Sequence, residues 1–219
     1  MTNEIMTLEE VASYLRVSER TITDWVQNGE LPGGKLGTSW RFKRSDIENW
    51  VNRKLTPRIK NWAAGEYSLS ALLSPERTAI LNCTTKDEAL NQMVDLCLNI
   101  PGVINRQVLS EAIFKREQLM STGIGLGIAI PHARLNTVND IYMAMGINTK
   151  ELTDYDSLDG LPVRIIVLLI AGRDQHTEYV KTLSRVAALL KDKSIRDELL
   201  KQTTAEDVYR EMIEKDSEQ

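Results

Sequence analysis

Cysteine and histidine are scarce, with two of each in 219 residues. Cys83 and Cys97 show no metal-ligand spacing and nothing suggests a disulfide framework, so the expectation is a pair of buried, reduced thiols. Two histidines without clustered acids make no metal site. The longest apolar run, residues 165–171, falls far short of the roughly 20 residues that a membrane-spanning helix needs. Glu4, Glu9 and Glu10 interrupt the opening stretch where a secretory leader would be apolar. No Gly-x-x-x-x-Gly-Lys-Ser/Thr phosphate loop occurs. These absences point away from a disulfide-stapled secreted domain, a membrane-inserted protein and a P-loop nucleotide enzyme. The chain reads as cytoplasmic, without membrane insertion, metal or cofactor.

Charge is low overall but uneven. Residues 1–60 hold ten Lys and Arg against eight Asp and Glu, a balance of +2. The totals of 27 and 31 therefore leave 17 against 23, or −6, for the remainder. Residues 35–44 carry Lys35, Arg41, Lys43 and Arg44 with no acid. Such asymmetry suggests a nucleic-acid module joined to an acidic partner domain.

The basic part has a readable grammar. Thr7 can cap a helix and Glu10 completes a capping box, with Leu8, Val11, Ala12 and Leu15 at helical spacing. After a short turn at Arg16-Val17, Ser18 starts a second helix with an apolar stripe of Ile22, Trp25 and Val26, ended by Asn28-Gly29. Two short helices and a tight turn make a helix-turn-helix. Leu31-Pro32-Gly33-Gly34 leads into a Gly-rich basic hairpin, and Ser45-Asp46-Ile47-Glu48-Asn49-Trp50-Val51 reads as a third, capped helix. In order and spacing, Met6 to about Lys54 resembles the excisionase/MerR-type winged helix-turn-helix. The resemblance implies binding to double-stranded DNA, through Arg20, Thr21, Thr23 and Gln27 on the second helix and Lys35, Arg41 and Lys43 on the hairpin. Trp25, Trp40 and Trp50 each fit an apolar stripe and are expected in the core.

The expected organisation is a small, mainly α domain over residues 1–55, a linker over 56–71 with Pro57, Trp62, Gly65 and Tyr67, and an α/β sandwich over 72–219. In the last part, strands are expected near residues 78–83, 140–147 and 163–170, the last buried on both faces. Interleaved helices begin at Thr85 and after Asn105 and continue through a long C-terminal helical region. This is a mixed sheet flanked by helices.

One stretch of that domain carries chemistry. Gly123, Gly125 and Gly127 alternate after Ser121-Thr122, suiting a tight loop whose backbone N–H groups could cradle an anion. Ile128-Ala129-Ile130 reads as a buried strand end, and Pro131 holds His132 at the strand terminus. Helical spacing puts Arg116 on a helix facing the glycine loop. A neutral imidazole is nucleophilic near pH 7, and a guanidinium suits the oxygens of a transferring phosphoryl group. The second histidine, His176, follows the buried strand at the end where α/β sites gather.

Arg116-Glu117, Ser121-Thr122, Ile124-Gly125 and Ile128-Ala129-Ile130-Pro131-His132-Ala133 together resemble the phosphohistidine site of the fructose/mannitol/nitrogen-regulatory class of enzyme IIA domains of the bacterial sugar phosphotransferase system. The resemblance spans roughly residues 72–213 and implies His132 as nucleophile with His176 and Arg116 beside it. The hydroxyls of Ser121 and Thr122 can orient an oxygen, so with Gly123, Gly125 and Gly127 they make up the expected phosphate loop. Two positions depart from the family pattern: Leu126 replaces a polar residue, making the loop mouth more apolar, and Thr177 follows His176 where leucine is usual. The implied phosphoryl donor is an HPr-type phosphocarrier. The combined expectation is a DNA-binding transcriptional regulator switched by phosphorylation. Two rivals are a true IIA carrier passing phosphate to a separate sugar permease and a binding module in which His132 is vestigial. Assembly into a homo-oligomer is left open.

Overall fold

The computed structural model describes residues 4–55, 68–173 and 175–218. They form two compact units, one on each side of residues 56–67.

The first unit runs β1 (Ile5–Thr7), α1 (Leu8–Leu15), α2 (Glu19–Gln27), β2 (Gly34–Leu36), β3 (Ser39–Lys43) and α3 (Arg44–Leu55). Local signals set the first two helices. Thr7 Oγ1 accepts from the Glu10 N–H at 3.2 Å while the Glu10 carboxylate accepts from the Thr7 N–H at 2.7 Å, a reciprocal cap. Ser18 Oγ accepts from the Thr21 N–H to open α2. Between the helices Arg16 takes a left-handed φ of 56°. The strands form an antiparallel sheet in the order β1-β3-β2. Met6 and Phe42 are register partners and close a core with Val11, Ala12, Ile22, Val26, Leu31 and Ile47. Gly33 is required here, since a Cβ would lie 2.6 Å from the Phe42 ring and 2.9 Å from Val26. All three tryptophans of this unit are partly buried against the core, and the Trp50 indole donates to the Glu30 carbonyl at 2.7 Å.

Residues 56–67 of the expected linker, with Trp62 and Tyr67, lie outside the described residues. Its last part does not connect the units but packs within the second. Helix α4 (Leu69–Leu72) buries both its leucines in a hydrophobic cluster of that unit, and the buried Asp216 carboxylate accepts from the Leu69 N–H and pairs with Arg185 Nε at 2.6 Å.

The second unit continues with β4 (Thr78–Leu81), α5 (Lys86–Asp95), α6 (Arg106–Leu119), β5 (Gly123–Gly125), β6 (Ile128–Ala129), β7 (His132–Leu135), β8 (Ile141–Leu152), β9 (Val163–Gly172), α7 (His176–Lys191), α8 (Lys193–Leu199) and α9 (Ala205–Ser217). The sheet is mixed. Its order is β4-β8-β9-β6-β5, with β7 also on β9; β8 lies antiparallel to β9, and β6 and β7 lie parallel to it. Strand β9 shows why both faces are covered. Ile165, Val167, Leu169 and Ala171 enter one hydrophobic cluster with residues of α4, α7, α8 and α9. Ile166, Leu168 and Ile170 enter the other, with α5 and α6. The period-2 alternation of side chains makes an unbroken apolar run fit only a two-sided burial.

Candidate functional site

Strands β6 and β7 keep one register along β9: Ala129 lies opposite Ile166 and His132 opposite Leu169. They are one strand interrupted at Ile130-Pro131, where proline has no N–H to give the ladder. His132 therefore does not end a strand, as its sequence context suggested, but opens its second half. The Ile130 N–H turns outward to the Thr122 carbonyl. The Ile130 carbonyl is met by His132 Nδ1 at 2.8 Å. A carbonyl can only accept, so Nδ1 carries the ring proton and Nε2 holds a lone pair. Arg116 Nε donates to that lone pair at 2.8 Å, and Arg116 Nη1 donates to the Met120 carbonyl at 2.7 Å. Burial holds the His132 pKa below the ordinary imidazole value of 6.5; the Ile130 carbonyl opposes this, the Arg116 charge adds to it, and Glu117 opposes it. The result is a neutral, oriented imidazole under a guanidinium.

Arg116 lies in the last turn of α6, and its neighbour Glu117 anchors that turn. The Glu117 carboxylate is buried and accepts from the Thr122 N–H and, at 2.6 Å, from Thr122 Oγ1. Tyr155 donates in turn to Thr122 Oγ1 across 2.9 Å, and burial pushes the tyrosine well above its usual range. The Ser121 hydroxyl lies 3.0 Å from Glu117 and 2.6 Å from the Asp156 carbonyl. Ser121 and Thr122, expected to orient phosphate oxygens, thus meet a protein carboxylate.

The glycines form a paired element, not an open loop. Gly123 and Gly125 lie in β5, which pairs antiparallel with β6, so the stretch is a β-hairpin with Leu126 and Gly127 at its turn. Their φ values are 58° and 75°. The turn is already occupied: Asp159 Oδ2 accepts the Leu126 N–H at 2.7 Å. The same hydrogen bond, with that of the Leu161 N–H, holds the Asp159 carboxyl below its usual range. The Gly127 carbonyl meets the N–H of Ile165, about four residues along β9 from the level of His132 and so roughly 13 Å away. No anion cradle forms beside His132 from Gly125 and Gly127. The acid that fills the turn comes from a distant loop, and local sequence carries no sign of it.

His176 opens α7, as expected, but its contact is with a residue the sequence reading passed over. Arg134 Nη2 lies 2.7 Å from His176 Nδ1. Arg134 is two residues beyond His132 on β7 and shares its face. Its guanidinium carbon sits 5.3 Å from the centre of the Tyr179 ring, which also meets the His132 imidazole at 5.6 Å, edge to face. Tyr179, one turn along α7 from His176, is the common platform. Burial pushes its hydroxyl up to about 12. The signal for Arg134 was the alternation His132-Ala133-Arg134 itself, two polar residues on one face of a strand.

In the first unit, Arg20, Asp24 and Gln27 are exposed and line one face of α2. Thr21 and Thr23 are half-buried and serve the helix: Thr21 Oγ1 bonds Ser18 Oγ at 2.8 Å, and Thr23 Oγ1 donates to the Glu19 carbonyl. On the hairpin, Arg41 and Lys43 lie on the face of β3 opposite Phe42. Lys35 pairs across with Trp40 and stands 5.2 Å from the centre of its ring, on the other face. Arg41 also donates to the Trp40 carbonyl at 2.8 Å.

Known proteins share both units. The family described as phosphoenolpyruvate-dependent sugar phosphotransferase system, EIIA 2, matches residues 71–215. A helix-turn-helix domain matches residues 5–55. The nitrogen regulatory protein of Pseudomonas aeruginosa is 31% identical over 147 residues, covering 67% of this chain and 95% of that protein. The fructose-specific EIIABC component of Bacillus subtilis is 37% identical over 144 residues, 64% of this chain, but the match spans only 22% of its length. Among solved structures, nitrogen regulatory protein IIA-Ntr from Neisseria meningitidis covers 66% of this chain and 98% of its own at 28% identity, with a TM-score of 0.61. IIA mannitol from Escherichia coli, at 19% identity and a TM-score of 0.51 over 64% of this chain and 97% of its own, shares the fold. Among the described residues no helix is long and apolar enough to cross a membrane.

Proposed function

The chain belongs to the EIIA 2 family of the phosphoenolpyruvate-dependent sugar phosphotransferase system, and from that membership we propose a DNA-binding transcriptional regulator controlled by reversible phosphorylation of His132. The observation that carries the reading is the His132 ring, protonated at Nδ1 against Ile130 and with its Nε2 lone pair turned to Arg116, in a chain that also holds a helix-turn-helix domain. The phosphoryl donor is an HPr-type phosphocarrier. His132 Nε2 attacks phosphorus; the Nε2–P bond forms as the bond from phosphorus to the carrier's leaving atom breaks. The Nδ1 proton stays in place against the Ile130 carbonyl, which favours the charge arising on the ring. Arg116 gives up its bond to Nε2 and turns its donors to the equatorial oxygens, the usual task of a guanidinium in phosphoryl transfer. Double-stranded DNA is the partner of the first unit, through the exposed side chains of α2 and the outward face of the hairpin. A second reading, a IIA carrier that hands phosphate to a separate sugar permease, draws on the name of the fructose-specific relative; the helix-turn-helix domain favours the first.

The test is phosphoryl uptake from a phosphoenolpyruvate-driven phosphocarrier cascade, with the acid-labile phosphate mapped by mass spectrometry. One phosphoryl group on His132 is expected, and none in His132→Ala. Label that persists in His132→Ala would sink the assignment.

A further inference from the structure

The two histidines present opposite tautomers, and the structure shows what fixes the second. Arginine can only donate, so the 2.7 Å contact from Arg134 Nη2 makes His176 Nδ1 an acceptor. The single proton of the neutral His176 ring is then on Nε2. At His132 the reverse holds: Nδ1 is protonated and Nε2 is bare. One ring is thereby set as a nucleophile and the other as a hydrogen-bond donor.

We infer that Arg134 is a positioning residue that holds His176 with Nε2–H outward, as the donor to an oxygen of the phosphoryl group on His132. Its own place is fixed twice. Arg134 leaves the same strand face as His132, two residues on, and its guanidinium lies against Tyr179. Tyr179 also meets the His132 ring edge to face, at 5.6 Å between centroids. Imidazole, phenol and guanidinium therefore lock one another, and the link to His176 spans α7 and β7. Burial keeps the phenol neutral, with its pKa pushed up to about 12, so Tyr179 adds no charge to this arrangement. A donor without a net charge strengthens its bond as negative charge builds on the phosphoryl oxygens, and needs no proton transfer to do so. This role rests on the phosphorylation of His132 proposed above.

Two measurements on the full chain test it. With histidine labelled at its ring nitrogens, proton–nitrogen correlation spectra contain only two rings, and His132→Ala identifies the remaining one. His176 is expected with a proton on Nε2 and a bare Nδ1; a proton on Nδ1 would overturn the inference. In the phosphocarrier assay, Arg134→Ala is expected to slow labelling of His132 roughly 10- to 100-fold, somewhat less than loss of a donor at such sites. Arg134→Lys should recover part of the rate, because an ammonium can still donate to Nδ1. The double variant Arg134→Ala/His176→Ala should be no slower than His176→Ala. Penalties that multiply would put Arg134 on the phosphoryl group itself and overturn its action through His176, as would an unchanged rate in Arg134→Ala. A wild-type chain that takes no phosphoryl group would sink the proposed function and the donor's use with it, while the nitrogen spectrum decides the tautomer by itself.

Discussion

At His132 two hydrogen bonds decide which nitrogen reacts, and burial together with the Arg116 charge sets the pH range in which it can. The Ile130 carbonyl takes the Nδ1 proton, leaving Nε2 to Arg116. With the folded pKa held below 6.5, first by burial and then by Arg116 against the opposing carbonyl, the ring stays unprotonated to lower pH than a free imidazole. A protonated ring has no lone pair, so uptake is lost as pH falls through the folded pKa, and the acid limb of the uptake rate should lie below 6.5. Arg116→Gln removes a positive charge that disfavours the imidazolium, so its limb should move up, towards the ordinary value. Initial rates of labelling across pH check both statements. A limb that shifts downward in Arg116→Gln contradicts this electrostatic account. Arg116 and His132 were legible in sequence because their motif is long and ordered. For Arg134 the strand alternation with His132 is a local signal of the shared face, but its contact with His176 is not legible, since that partner lies 42 positions away.

The β5–β6 hairpin shows how an element can look like one thing and be another. Alternating glycines suit an anion loop or a tight turn equally, and what separates the two is Asp159, 33 positions on. Helix caps carried no such ambiguity: Thr7, Ser18, Thr85 and Asn105 act on backbone N–H groups within three residues, so neighbouring sequence was enough. Strand β9 was legible for a similar reason, as an unbroken apolar run has few places to go. In the hairpin turn Leu126 holds a left-handed φ of 58° while half-exposed. A leucine there costs about 1–2 kcal/mol, and asparagine tolerates the conformation better. Leu126→Asn should therefore raise stability by roughly 0.5–1 kcal/mol, read from denaturant midpoints at unchanged slope. A destabilised variant would mean that the leucine side chain packs more than it strains. The wing makes the other element-scale prediction. Lys43 lies exposed on the outward face of β3, and Lys43→Ala should weaken binding to all duplexes alike and lower the salt slope by about one. An unchanged slope removes this face from the DNA contact.

Across the whole molecule, the charge of the phosphoryl group is the signal. It adds about −1.5 to −2 to the part of the chain that already balances 17 basic against 23 acidic residues, while residues 1–60 stand at ten against eight. A regulator needs that local event to change the affinity of the helix-turn-helix domain for DNA. A useful coupling is about 1–3 kcal/mol, or roughly 5- to 150-fold in affinity. The effect depends on His132, and either sign would serve a switch. The most direct measurement is a titration of one selected operator duplex, at one salt concentration, with the chain before and after phosphorylation by the carrier cascade. Wild type should show an affinity difference within that range and His132→Ala none. Equal affinities for phosphorylated and unphosphorylated wild type would contradict the account.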